Sequence, residues 1–154
     1  MRNIIGTLFL AIFVFYCSSN VVWGGDFNKG EAAFYKKDYA AALREFTPLA
    51  ESGNEFAQTS LAVMYQHGLG VPKDHDKAAN LYFLAFSNGN LMALTFLGQL
   101  MLDPESKLFD AKKGKSLILL AADNGDEAAQ KLIEVNASFF SSSSGGSVSS
   151  DKKQ

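Results

Sequence analysis

Ala57-Gln58-Thr59-Ser60-Leu61-Ala62-Val63-Met64-Tyr65-Gln66-His67-Gly68-Leu69-Gly70-Val71-Pro72-Lys73-Asp74, followed by Lys77-Ala78-Ala79-Asn80-Leu81-Tyr82 and running on to Gly89, is the stretch that decides the fold. Ala57, Leu61, Met64 and Tyr65 recur at helical spacing, and Gly68 and Gly70 stop the run. Asp74 is a side chain able to cap a new helix, which carries Ala78, Leu81, Tyr82 and Ala85 on one face. The stretch therefore predicts helix, glycine-rich turn, helix.

Working outward, the same pattern returns every 36 residues. Gly53, Gly89 and Gly125 share that step, as do Asp38, Asp74 and Asp110, and Ala57, Ala93 and Ala129. So do Leu61, Leu97 and Ile133, then Phe46, Tyr82 and Ile118, then Leu49, Ala85 and Ala121. A fixed period of this length marks a repeat architecture in which each unit buries its apolar face only against its neighbours. Residues 26–133 make three such units of two helices. Asn54, Asn90 and Asp126 each follow a glycine and are expected to cap the first helix of the next unit. Alanines at 57, 78, 93, 121 and 129, with Gly98, are expected to let helices approach closely, while Tyr65, Tyr82 and Leu97 fill the space between. Asp126 to about Asn136 predicts an amphipathic terminal helix that closes the stack, about seven short helices in all.

The ends have different composition. Met1-Arg2-Asn3, the apolar run Ile4 to Tyr16, the polar Cys17-Ser18-Ser19-Asn20 and Val22-Trp23-Gly24 have the order of a secretory signal, which places residues 1–24 as a signal peptide and the mature protein in the periplasm or the exterior, with an uncleaved anchor over Ile4 to Trp23 as the alternative. Residues 25–137 are the repeat domain. Residues 138–154 are a Ser/Gly-rich tail whose tract from Ser141 buries too little apolar surface to order. Without its leader the chain has 13 basic and 16 acidic side chains, a net charge of −3, and no cysteine, because Cys17 is the only one. That balance excludes a basic nucleic-acid footprint, and the missing thiol excludes disulfides, thiolate metal sites and cysteine nucleophiles. No second long apolar run follows the leader, so no membrane insertion is expected after its cleavage.

The quoted stretch resembles the Sel-one-like (Sel1-like) repeat, closely over residues 55–90 and more weakly over 26–136. The first unit, with Gly30, Ala33-Phe34-Tyr35, Asp38-Tyr39 and Ala42, looks more like the related tetratricopeptide repeat, with Pro48 expected to kink its second helix. In the next unit Met101-Leu102-Asp103-Pro104-Glu105-Ser106-Lys107 replaces the glycine-rich turn at equal length. The resemblance implies an all-α, right-handed superhelical α/α solenoid of antiparallel helix pairs, serving as an adaptor or assembly platform with another protein as its partner. It also brings a rival class, an envelope hydrolase acting on peptidoglycan-like or β-lactam substrates. Such an enzyme needs a nucleophile and base in one pocket, and the sequence displays neither.

Other motifs read as structure. His67 and His75, with Asp74 and Asp76, flank the glycine turn at a spacing with no established ligand geometry, so no metal is assigned. Gly68-Leu69-Gly70 lacks the strand and the Lys-Ser or Lys-Thr pair of a phosphate loop. Ser149 to Lys152 and Ser150 to Lys153 fall in the tail, where nothing preorganises a nucleophile. Asn136-Ala137-Ser138 fits a glycosylation acceptor but arises readily beside a Ser-rich tail. No cofactor is expected. One feature exceeds packing: Phe83, Leu84, Leu119 and Leu120 occupy equivalent second-helix positions usually polar in the family. They are the candidate partner surface, an apolar row for another protein or for self-association, with burial under Phe139-Phe140 as the alternative.

Overall fold

The computed structural model describes residues 24–141. Among these, eight helices follow one another: α1 (Phe27–Tyr35), α2 (Tyr39–Glu51), α3 (Glu55–His67), α4 (His75–Ser87), α5 (Met92–Leu102), α6 (Ala111–Asp123), α7 (Glu127–Val135) and α8 (Ala137–Ser141). Each packs chiefly against its neighbours in sequence, which makes α1/α2, α3/α4 and α5/α6 the three helix pairs of an α/α solenoid, with α7 closing the end.

The 36-residue period is written in hydrogen bonds as well as in residue types. Asn54, Asn90 and Asp126 donate their backbone N–H to Leu49, Ala85 and Ala121, each bond spanning a turn at Gly53, Gly89 or Gly125. These glycines have φ of 93°, 109° and 96°, where a Cβ is strained, so the repeated glycine is a backbone requirement. Asp74 donates to the Tyr65 carbonyl at 2.9 Å, and Asp110 to Met101 at 2.9 Å, closing both turns identically. The second turn does without glycine: Asp103 Oδ1 accepts from Glu105 N and Ser106 Oγ from Leu108 N, so side chains supply the chain reversal.

Side-chain caps from Asp26, Asp38, Asn54, Asp74, Asp110 and Asp126 start six of the helices. The bond from Lys29 N holds the Asp26 carboxyl below the usual carboxylate range. Asn90 is the exception to the expected capping. Leu91 occupies the capping position before α5 and supplies no side-chain cap, and the buried Asn90 Nδ2 instead donates to Thr59 Oγ1 of the preceding unit at 2.8 Å. One unit later Thr95 donates to Asp126, the same pair of positions 36 residues on. A buried amide gains more from a buried partner than from a solvent-facing helix end. Helix α2 runs unbroken through Pro48.

Three apolar clusters form the core. Ala42, Phe46, Ala57, Leu61 and Met64 join α2 to α3, and Ala62, Ala78, Tyr82, Ala85, Ala93 and Leu97 join α3, α4 and α5. Leu94, Ile118, Ala121, Ala129 and Phe140 join α5 to the C-terminal helices. Phe46, Tyr82 and Ile118, one large side chain per unit at the same register, are all essentially inaccessible to solvent. The small partners are wholly buried too, as the close-approach reading requires.

The boundary at 138 moves. Residues 138–141 belong to α8, Phe140 is buried in the third cluster, and the buried Lys115 Nζ donates to the Phe139 carbonyl at 2.6 Å while lying 5.2 Å from the Phe139 ring. The two phenylalanines draw this segment onto the fold before the serine tract begins. The signal segment and the remainder of the tail lie outside the described residues.

Candidate functional site

The first helices of the three units together build an aromatic groove. Helix α1 turns Phe27, Glu31, Phe34 and Tyr35 towards it, a spacing that keeps one helical face together. Helix α3 adds Phe56, Thr59, Ser60 and Val63 at the same spacing, and α5 adds Met92 and Phe96. Phe46 of α2 forms part of the floor, its ring 5.4 Å from that of Phe27, which stands 6.1 Å from Phe56. The groove, open to solvent along one side, has a volume of about 250 Å³.

The walls are large apolar side chains left in contact with water. Tyr35 is 77% exposed and Phe56 51%, and Met92 is also exposed. An open concave site with apolar walls and a few polar groups is the usual form of a binding pocket. Two of its three hydroxyls are already engaged: Thr59 Oγ1 donates to the Glu55 carbonyl at 2.8 Å, and Ser60 Oγ to the Phe56 carbonyl at 2.9 Å, while the Tyr35 hydroxyl stands on an exposed side chain. Among the described residues Glu31 is the one charged member of the lining.

The row read from sequence stands on the second helices instead. Phe83, Leu84 and Leu120 are 59%, 48% and 47% exposed. Leu119 is not part of that exposed set, because it is half-buried against the third core cluster, which includes Phe140. The groove went unremarked in the sequence because its phenylalanines sit at spacings that equally suit a core stripe. The usable signal was α1, where Phe27, Phe34 and Tyr35 crowd one face of a nine-residue helix at the start of the stack.

The remaining motifs resolve as structure. Gly68 ends α3 in the left-handed conformation, and Leu69 N donates back to Met64. His67 is exposed, His75 is buried with Nε2 unpartnered, and Asp74 Oδ1 accepts from Lys77 N. Among the described residues no three His, Cys, Asp or Glu side chains converge as metal ligands, and no helix is long and apolar enough to cross a membrane. The Asn136 amide donates to the Leu132 carbonyl at 2.9 Å. The Ser-x-x-Lys spacings lie outside the described residues.

A stack of helix pairs repeating every 36 residues, with an open aromatic groove across its first helices, defines a helical-repeat interaction protein. The Sel1 repeat profile matches residues 56–90 and 91–126, the two units that follow the tetratricopeptide-like one. The chain is also similar to a Sel1 repeat protein from Oxalobacter formigenes known from its crystal structure, with a TM-score of 0.56 and 26% identity over 71% of this chain and 85% of that one. No curated protein matches it. Residues 56–126 of this chain are thus two adjacent Sel1-like repeats, a repeat type that generally mediates protein–protein interaction and typically forms non-catalytic scaffolds.

Proposed function

We propose that this protein is an exported adaptor of the cell envelope that holds a segment of a partner protein in the aromatic groove and catalyses no reaction. The observation that carries the reading is the exposure of Tyr35 and Phe56 in the wall of a groove shared by three repeat units. Fully burying an apolar side chain of this size is worth about 1.5–3 kcal/mol, and a bound partner supplies the share of it that the exposed part of each ring forgoes. Export rests on the Arg2, Ile4–Tyr16 and Val22-Trp23-Gly24 pattern.

Two results test it. In a bacterial host the protein recovered from the periplasmic fraction should begin at Gly25 by mass, and an uncleaved chain in the cytosol would sink the envelope reading. A bait carrying Tyr35→Ser with Phe56→Ser should lose at least about tenfold in partner affinity, since hot spots of aromatic side chains are worth more than 1 kcal/mol each.

The second-helix row supplies the contrast. Leu84→Glu with Leu120→Glu changes two side chains already half in water, so helicity and melting temperature should stay within about 0.5 kcal/mol of the parent. Loss of the partner with this pair and not with the groove pair would transfer the binding surface to the second helices. Loss of fold would mean that these leucines are core.

A further inference from the structure

Resting on that groove reading, we propose that its occupant is a short peptide segment carrying an arginine beside one or two bulky apolar side chains. Size comes first. A cavity of about 150 Å³ accommodates benzene, so the 250 Å³ here admits one phenylalanine or leucine side chain with room for part of a second.

Charge then selects the neighbour. Among the described residues no lysine, arginine or histidine lines the groove, and the one charge they bring to it is the Glu31 carboxylate. Among the described residues Glu31 forms no ion pair; the nearby Lys29 is committed to Asp26 at 3.4 Å. With the hydroxyl protons of Thr59 and Ser60 given to backbone carbonyls and the Asn90 amide donating to Thr59, the lining offers an acidic group no cation, only neutral donors such as the Tyr35 hydroxyl, and the Glu31 carboxylate on the same face repels it. It offers a cation both a carboxylate and ring faces, because Glu31, Phe34 and Tyr35 lie within one turn of α1 on the same face.

Among cations, the planar guanidinium of arginine is suited to both at once, stacking on an aromatic ring while its N–H groups pair a carboxylate. Cations meet aromatic side chains elsewhere in the fold: Lys115 Nζ lies 5.2 Å from the Phe139 ring centre, and Lys77 Nζ donates to the Tyr65 hydroxyl at 2.7 Å.

The test is calorimetric titration of the full chain with three capped peptides: acetyl-Gly-Phe-Leu-Arg-Phe-Gly-amide, and the same peptide with Arg→Gln or Arg→Glu. The arginine peptide should bind most tightly, the glutamine peptide about threefold and the glutamate peptide about tenfold more weakly, the range expected of a solvent-accessible ion pair and its reversal. Glu31→Gln should narrow the difference between the first two to what ring stacking alone supplies, and Tyr35→Ser with Phe56→Ser should abolish binding of all three. Equal binding of the three peptides, lost with the groove pair, would overturn the arginine preference and leave the groove standing. Binding indifferent to both sets of substitutions would overturn the groove as well. A concentration-dependent dimer that the groove pair abolishes would replace the peptide with a second copy of the chain. No binding at about 1 mM peptide would overturn the arginine segment, and the adaptor reading would then stand or fall on partner capture alone.

Discussion

Tyr82→Ala lowers the free energy of unfolding by about 3–5 kcal/mol, the range for removing a fully buried aromatic side chain. The reason is the company the ring keeps. Tyr82 is surrounded by Ala62, Ala78, Ala85 and Ala93, all wholly buried, and stacks on Phe96 with 5.7 Å between ring centres. Alanines cannot extend into the space it leaves, so the cavity persists and the full penalty is expressed. For a domain of this size the melting temperature should fall by roughly 10–25 °C, read by circular dichroism at 222 nm. A loss below about 1.5 kcal/mol would show that the units collapse onto the gap.

Tyr82→Phe isolates the hydroxyl. Its proton is donated to Gln66 Oε1 at 2.7 Å, and removing it should cost about 1 kcal/mol. Burial pushes the Tyr82 phenol well above its ordinary value, so the folded state favours the neutral form. The associated stability is fully present below the unfolded pKa of about 10 and is lost as pH rises from there towards the folded pKa. The parent should therefore destabilise more steeply above pH 10 than Tyr82→Phe, and equal slopes would contradict the burial.

Gly98→Val should be the next most damaging change, costing about 3 kcal/mol, with Gly98→Ala intermediate. Helix propensity alone argues the other way, since alanine gains about 1 kcal/mol over glycine inside a helix. Packing overrules it. A Cβ on Gly98 would stand 2.6 Å from Ile118 Cγ1 and 2.8 Å from the Gly114 carbonyl oxygen, and one on Gly114 would stand 2.7 Å from the Gly98 oxygen. Helices α5 and α6 touch backbone to backbone here, and a carbonyl cannot swing aside as a side chain can. Thermal melts decide by sign: a more stable Gly98→Ala protein would mean that α5 and α6 separate freely.

Much of the fold was legible because a repeat writes its constraints several times. Gly53, Gly89 and Gly125 must each reverse the chain, and Phe46, Tyr82 and Ile118 must each fill one unit's interior, so the period, the helix pairs and the core register follow from residue spacing. The Asp74 cap was legible for the same reason, being a local contact between residues three apart.

Contacts between units were not. The choice of Asn90 to bond Thr59 rather than cap α5 depends on a partner 31 residues away, and the pairing of Gly98 with Gly114 depends on how closely α5 and α6 settle. The same holds for the candidate surfaces. Periodicity tells which side chains share a face of a helix, and it marked Phe83, Leu84, Leu119 and Leu120 as a row. Whether a face meets water is decided by the next layer, which leaves Leu84 and Leu120 exposed, half-covers Leu119, and opens α1 and α3 so that Tyr35 and Phe56 line a groove. Local chemistry repeated at 36 residues determined the helices and their stacking, while burial is a property of the packed neighbours, and only the tertiary structure could assign it.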